Sequence, residues 1–396
     1  MLQRKRRWLI AAACGIATLA MLASSTLVSF RADASWSAME EQRDRLRQKF
    51  RARAQHREIL WGEPAKGNAF THYGRALATV RPLSKDLPPP SRLFAVSDEQ
   101  LAPVVAPLRA KWAPILAALR AGAHCTNASP PALGDDTETA IANLLDCRWA
   151  VNVAVLEARV LRHEGRTAEA VQHTLDAAQF GADLLHRGTL INQMIAVAML
   201  AIALDCWPEA ELRKLDRDAL DLFAHGLERL DRSLPETLDL TGELLFLSQS
   251  LLRGGAEETW APSRDWRYGF SSRWMVADAF LQVAAAASQL EAGPSAHWTH
   301  REAQIEQWCG ELLDRANPVV SIMVPNFTSA EKNLRQSLAI LRLLRASIEL
   351  HRGNEAPPLH DPLGNGPLGV TTNSNGFTLR SAGSLRDRPL ERTFLH

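Results

Sequence analysis

The 396-residue chain has no surplus of either charge: 45 Lys and Arg against 44 Asp and Glu leave a formal net charge of +1. That balance gives no sign of the basic surface on which nucleic acids or other polyanions bind. The chain has no P-loop and no G-x-S-x-G elbow, so P-loop nucleotide and serine-hydrolase readings have no motif to stand on. Cysteine is scarce, at five residues, and no two are spaced C-x-x-C, the spacing of a redox dithiol or a cysteine zinc site. Before residue 359 no convincing run of alternating apolar and polar residues is found, which argues against a β-sandwich or barrel.

What is present begins with "MLQRKRR" and continues without a charged residue from Trp8 to Phe30. At about 1.5 Å per residue such a run is long enough to cross a bilayer. Arg4, Lys5, Arg6 and Arg7 then stay cytoplasmic, which exports everything downstream. The expected localisation is the inner membrane, single-pass, with the bulk of the chain periplasmic or otherwise extracytoplasmic. The alternative is a cleaved signal peptide, because Ala32-Asp33-Ala34 has a small-x-small form. The apolar run exceeds the core of about 7–15 residues usual in such peptides, which favours the uncleaved anchor. In an oxidising compartment cysteines can pair. Cys125 and Cys147 flank the loop "TNASPPALGDD" and are the candidate disulfide; the alternative is that the exported cysteines are buried apolar fillers.

The organisation that follows is a basic stub and anchor at 1–34, a polar helical stem at 35–60, a helical exported domain at 61–355 and a turn-rich tail at 356–396. Helical signals dominate the body. Ser97 with Gln100 has capping-box spacing, and Pro103, Pro107 and Pro114 should kink or divide the helix that follows. "TETAIANLLDCRWAVNVAVLEARVLRHEG" reads as one helix closed by Gly165, and the stretch to Gly188 as a second. "TLINQMIAVAMLAIALDCW" is apolar on nearly every face and is expected to be a central buried helix. Helices are also expected to open at Pro208-Glu209 and Pro235-Glu236. The fold class is all-α, antiparallel helical hairpins in a bundle or short solenoid, with a small C-terminal β-hairpin.

Candidate sites are few. Trp260, Trp266, Arg267, Tyr268 and Trp274 crowd one connection, where aromatic faces beside arginines stack on a glycan or meet lipid headgroups; the alternative is a loop wedged into the core. His297, His300 and Glu302 sit together in "HWTHRE", but the H-E-x-x-H zinc spacing is absent, and surface histidines account for them. Asp146, Asp183 and Asp205 lie in apolar helices without the paired Glu-x-x-His motifs of a di-iron bundle; Asp183 is expected to bond an arginine or a helix end. Ala158, Gly165, Arg166, Glu169 and Ala170 fit one tetratricopeptide-like hairpin without a second copy, and a generic hairpin suffices.

The tail reads "DPLGNGPLGVTTNSNGFTLRSAG". Asp361-Pro362 and Gly364/Gly366 supply turns, and "NSNG" joins two short strands. Asp361, Pro362, Pro367, Leu368, Gly376, Phe377, Leu379, Ser381 and Gly383 fit a pattern close to DP-x-x-G-x-P-L…G-F-x-L-x-S-x-G, with its first glycine one place later, at Gly366. In this order the chain resembles a poorly characterised group of membrane-anchored bacterial helical proteins. The tail is also similar to that of major pseudopilins of type II secretion. Those proteins carry a processing site with a Glu inside the hydrophobic helix, which "MLQRKRRWLIAAAC" lacks, so the likeness does not imply a pilin subunit. Their acidic calcium ligands are not matched either, since only Asp387 and Glu391 stand among arginines here. The resemblance implies an envelope role beside secretion machinery and a tail folded as a clasp over the last helix. A non-enzymatic scaffold or partner-binding module, without catalytic residues, metal or cofactor, is the function expected; its partners are the membrane and another envelope protein, not nucleic acid. The alternative is an envelope enzyme acting on a glycan in a helical cleft near the Trp-rich connection.

Overall fold

The computed structural model describes residues 30 to 395 apart from 51–56, 84–92, 130–136, 187, 255–269, 293–296, 315–319, 321–323, 325, 375 and 386–387. The expected anchor at Trp8–Phe30 thus lies, but for its last residue, outside the described residues. Among those described, no helix is long and apolar enough to cross a membrane. In chain order the elements begin with α1 (30–50), β1 (Ala65–Asn68), α2 (Ala69–Leu83), α3 (Asp98–Val105), α4 (Arg109–Ala123) and β2 (Cys125–Asn127). They continue with α5 (Thr137–His163), α6 (Thr167–Leu185), α7 (Leu190–Leu204), α8 (Glu209–Leu212), α9 (Arg217–Ser233) and α10 (Thr241–Gly254). Last come α11 (Phe270–Ala292), α12 (Trp298–Leu313), α13 (Phe327–His351), β3 (Gly369–Asn373), β4 (Gly376–Leu385) and β5 (Arg388–Leu395). The chain is predominantly helical, with a small antiparallel sheet at its C-terminal end.

Two compact units divide the chain, the smaller made of the described residues within 30–49, 243–292 and 307–325. In it α1 is helical, as expected for a stem, but it is not solvated all round. Ala32, Met39 and Leu46 recur every seventh residue and are all buried, a stripe too narrow to stand out among so many charges. Lys49 at its end pairs with Glu291 on α11, and α11 buries Phe280, Val283, Ala287 and Leu290.

The larger unit holds residues 50–242, 293–306 and 326–396. Its centre is the hairpin succession α5–α6–α7, with α13 against α7 and α9 against both α6 and α13. Gly165 turns the chain between α5 and α6 at φ +77°, a left-handed conformation that costs glycine nothing. The Ser97–Gln100 capping box forms in both directions, and a 3₁₀ turn at Ala106–Leu108, containing Pro107, separates α3 from α4. Pro103 and Pro114 instead lie inside helices.

Five expectations change. The deepest early helix is α6, not α7: every residue from Thr174 to Leu185 is buried, whereas α7 leaves Ile191 50% and Met194 42% exposed. The helix read from Pro208 breaks into α8 and α9, because Asp216 turns outward to cap α9, accepting from Ala219 N at 2.7 Å. Pro235-Glu236 opens no helix, and α10 starts only at Thr241. The helical body also holds a parallel pair, β1 with β2. At the C-terminus the expected hairpin gains a third strand: β3, β4 and β5 form one antiparallel sheet in that order.

Candidate functional site

Two buried polar clusters and one groove organise the larger unit. The first cluster forms where residues 57–61 cross the end of α4 and the middle of α6. Arg57 donates to the carbonyl oxygens of Cys125 at 2.9 Å and Ala123 at 3.1 Å, and to that of Gly122. These include carbonyls that α4 leaves open at its C-terminus, where a cation is favoured. Its remaining nitrogen reaches Asp183 at 2.6 Å, the bond to an arginine anticipated for that aspartate. Tyr73 donates to the same carboxylate oxygen at 2.7 Å. Burial, then the Asp183 charge, pushes the Tyr73 hydroxyl well above its ordinary range, which keeps it a donor.

Two turns earlier on α6, Asp176 accepts from Trp61 Nε1 at 2.9 Å and from Arg120 Nε at 3.1 Å. Burial pushes its carboxyl up to about 6, against the pull of Arg120 and Trp61. The folded chain therefore takes up this proton before the unfolded chain does, and the penalty of burying the charge is relieved as pH falls from 7 toward 4. Wild type should gain up to about 3 kcal/mol relative to Asp176→Asn over that interval. Denaturant titrations of both proteins at several pH values measure the gain; a constant difference between them contradicts it.

Cys125 and Cys147 are not joined. Both are free, buried thiols, because each is committed to its own element. Cys125 lies on β2 and donates to Ala121 O at 3.2 Å, whereas Cys147 is buried along α5, where burial pushes its thiol up to about 12. Trp260, Trp266, Arg267 and Tyr268 fall outside the described residues, and Trp274 is half-buried on α11. His297, His300 and Glu302 are not drawn to one point: His300 meets Gln304 at 3.0 Å and Glu302 faces Lys332 at 3.8 Å. Among the described residues no cluster of His, Cys, Asp and Glu is arranged to hold a metal ion.

The second cluster is the tail. Asp361, 3% exposed, accepts from Leu363 N at 3.0 Å, Ser381 Oγ at 2.8 Å and Ala382 N at 2.6 Å. The turn after it is closed by Asp361 N to Gly366 O at 2.8 Å and Gly364 N to Asp361 O at 3.1 Å. The Asp-Pro and Ser-x-Gly ends of the motif are thus two halves of one structure, with the carboxylate as its centre. Helix α13 holds that structure down. Arg335 Nη1 donates to Pro362 O at 2.9 Å, Arg342 Nη1 to His360 O at 3.0 Å and Gln336 Nε2 to Ser384 O at 2.6 Å. Arg335 is itself fully buried beside Glu331, which also takes Arg301 at 2.9 Å, and its guanidinium lies 5.4 Å from the Trp298 ring centre. Sequence reading overlooked this ladder; its signal is a Glu331/Arg335 pair one turn apart on a helix whose core face also carries Leu334, Leu338 and Leu341.

The motif glycines are not equivalent. An added Cβ on Gly364 would stand 2.8 Å from Asp361 Oδ2, while one on Gly366 would meet nothing within 4 Å. Gly364→Ala should lose about 1–3 kcal/mol and Gly366→Ala less than about 0.5 in thermal or denaturant unfolding. Equal losses would contradict this geometry.

Over the clasp lies a groove of about 600 Å³, open to solvent, walled by Gly364, Asn365, Pro367, Arg380 and Pro389. Among its described residues the one carboxylate, Asp361, is engaged in the bonds above. No known family, curated protein or solved structure matches the chain. The site must therefore be read from its own chemistry. Its walls are largely glycine, proline and backbone, with one cation, Arg380, facing Glu391 at 3.8 Å.

Proposed function

We propose that this chain is a single-pass protein of the bacterial envelope whose exported helical domain is a non-enzymatic scaffold, binding a partner polypeptide in the groove over its C-terminal clasp. The observation that carries the reading is the groove: open, walled largely by backbone, glycine and proline, with the only carboxylate among its described residues spent on holding the tail. A hydrolytic or metal site needs convergent titratable groups in a water-excluding cleft, and a broad open groove suits a surface contact. Export is supported by the charge-free run from Trp8 to Phe30 behind four basic residues.

A photoreactive residue in place of exposed Asn365, in the full-length chain in native membranes, tests the groove. A discrete higher-mass adduct is expected there, and none from the same residue at Glu164 on the exposed α5–α6 turn. No adduct at Asn365, or the same adducts at both positions, would sink the scaffold reading.

A further inference from the structure

The two edges of the C-terminal sheet are built differently. Strand β5 reads "RPLERTFL", carrying Arg388, Pro389 and Glu391 at its outer edge, the charges and proline that discourage another strand from pairing. Its inner face is covered: Leu390 and Phe394 are buried, and Arg392 donates to Trp207 O at 2.9 Å. Strand β3 reads "GVTTN" and has neither charge nor proline. Gly369, Val370, Thr371 and Thr372 are all exposed, and since successive side chains point to opposite faces, neither face of β3 is covered. Val370 stands opposite Leu379, on the face where Leu379 is completely buried, yet is itself 49% exposed. Among the described residues no strand lies beyond β3.

We propose that β3 is the self-association edge of this protein, pairing antiparallel with β3 of a second copy about a two-fold axis at Thr371. That register sets Val370 against Thr372 of the second copy, a β-branched pair that favours strand formation, and brings no like charges together. The same patch serves both copies, as a two-fold interface requires. No such pairing is available at β5, where each copy would present Arg388 and Glu391. A five-residue strand buries less than a stable soluble dimer needs, so the contact draws its strength from copies tethered side by side in one membrane. For that strength, though not for its geometry, the inference rests on the anchored reading above.

Thr371→Cys in the full-length chain in membranes tests it, since paired strands place opposing Cα atoms within disulfide reach. Mild oxidation should give a linked dimer, at least about tenfold above wild type and above Thr393→Cys on the opposite edge. Adding Val370→Lys to Thr371→Cys should lower the dimer about tenfold. Equal cross-linking at Thr371 and Thr393, or no effect of the lysine, overturns the pairing. A chain that fractionates with membranes but stays monomeric at Thr371 defeats the pairing alone. A chain found outside membranes defeats the anchor, and the Thr371 cross-link at raised concentration in solution then decides the pairing by itself.

Discussion

Replacing Asp361 with alanine should cost about 3–5 kcal/mol and release the tail from the helical body. The carboxylate is 3% exposed and serves two backbone N–H groups and one hydroxyl. Alanine leaves these donors without their acceptor, at about 1–3 kcal/mol each where they stay buried. Water entering through the open groove recovers part of that loss. Asp361→Asn keeps one acceptor oxygen and should fall between alanine and wild type. Denaturant unfolding gives the loss. Limited proteolysis gives its location, with early cleavage in β4 or β5 while α5–α7 survive. An alanine variant within about 1 kcal/mol of wild type would mean that the clasp is held by something else.

The second large effect lies beneath the clasp. Glu331 is the carboxylate shared by Arg301 and Arg335, and all three side chains are at most 3% exposed. Burial pulls the Arg335 guanidinium below its usual range, opposed by Glu331 and Glu236. Glu331→Ala removes the shared counter-charge from two buried cations and should destabilise by about 3–5 kcal/mol. The desolvation cost of the ladder is large, so replacing it whole need not repeat that loss. Arg301→Leu, Glu331→Leu and Arg335→Met together should recover most of it, less the bond from Arg335 to Pro362 O. Thermal unfolding of the single and triple variants separates the two cases. A triple variant less stable than Glu331→Ala would show that the charges themselves stabilise the fold.

The reach of sequence reading was set by how local each signal was. The Ser97 cap, the turn at Gly165 and the β3–β4 turn depend on neighbours within a few residues, and each was legible. The hairpin's second strand was legible because Leu379 and Ser381 alternate with exposed Arg380. Strand β5 was not, because Arg388, Pro389 and Glu391 are the residues that make an edge look like a loop. Helix α6 was undervalued for a related reason: Thr174, Asp176, Gln179 and Asp183 lower its apolar content, and only partners distant in sequence, Trp61, Arg57 and Tyr73, explain their burial. The tail motif was visible as a pattern, but its meaning lay in contacts about 20 residues apart across Asp361 and Ser381. The ladder Arg301–Glu331–Arg335 spans two helices, so single-helix periodicity shows only half of it.

Where the chain resides decides what its groove can meet, and fractionation of intact cells measures that directly. The full-length protein should sediment with membranes, resist extraction at alkaline pH and lose its helical domain to protease added outside the cytoplasmic membrane. Recovery from the soluble cytosol with residues 1–30 still attached would contradict the envelope assignment and, with it, the proposed scaffold.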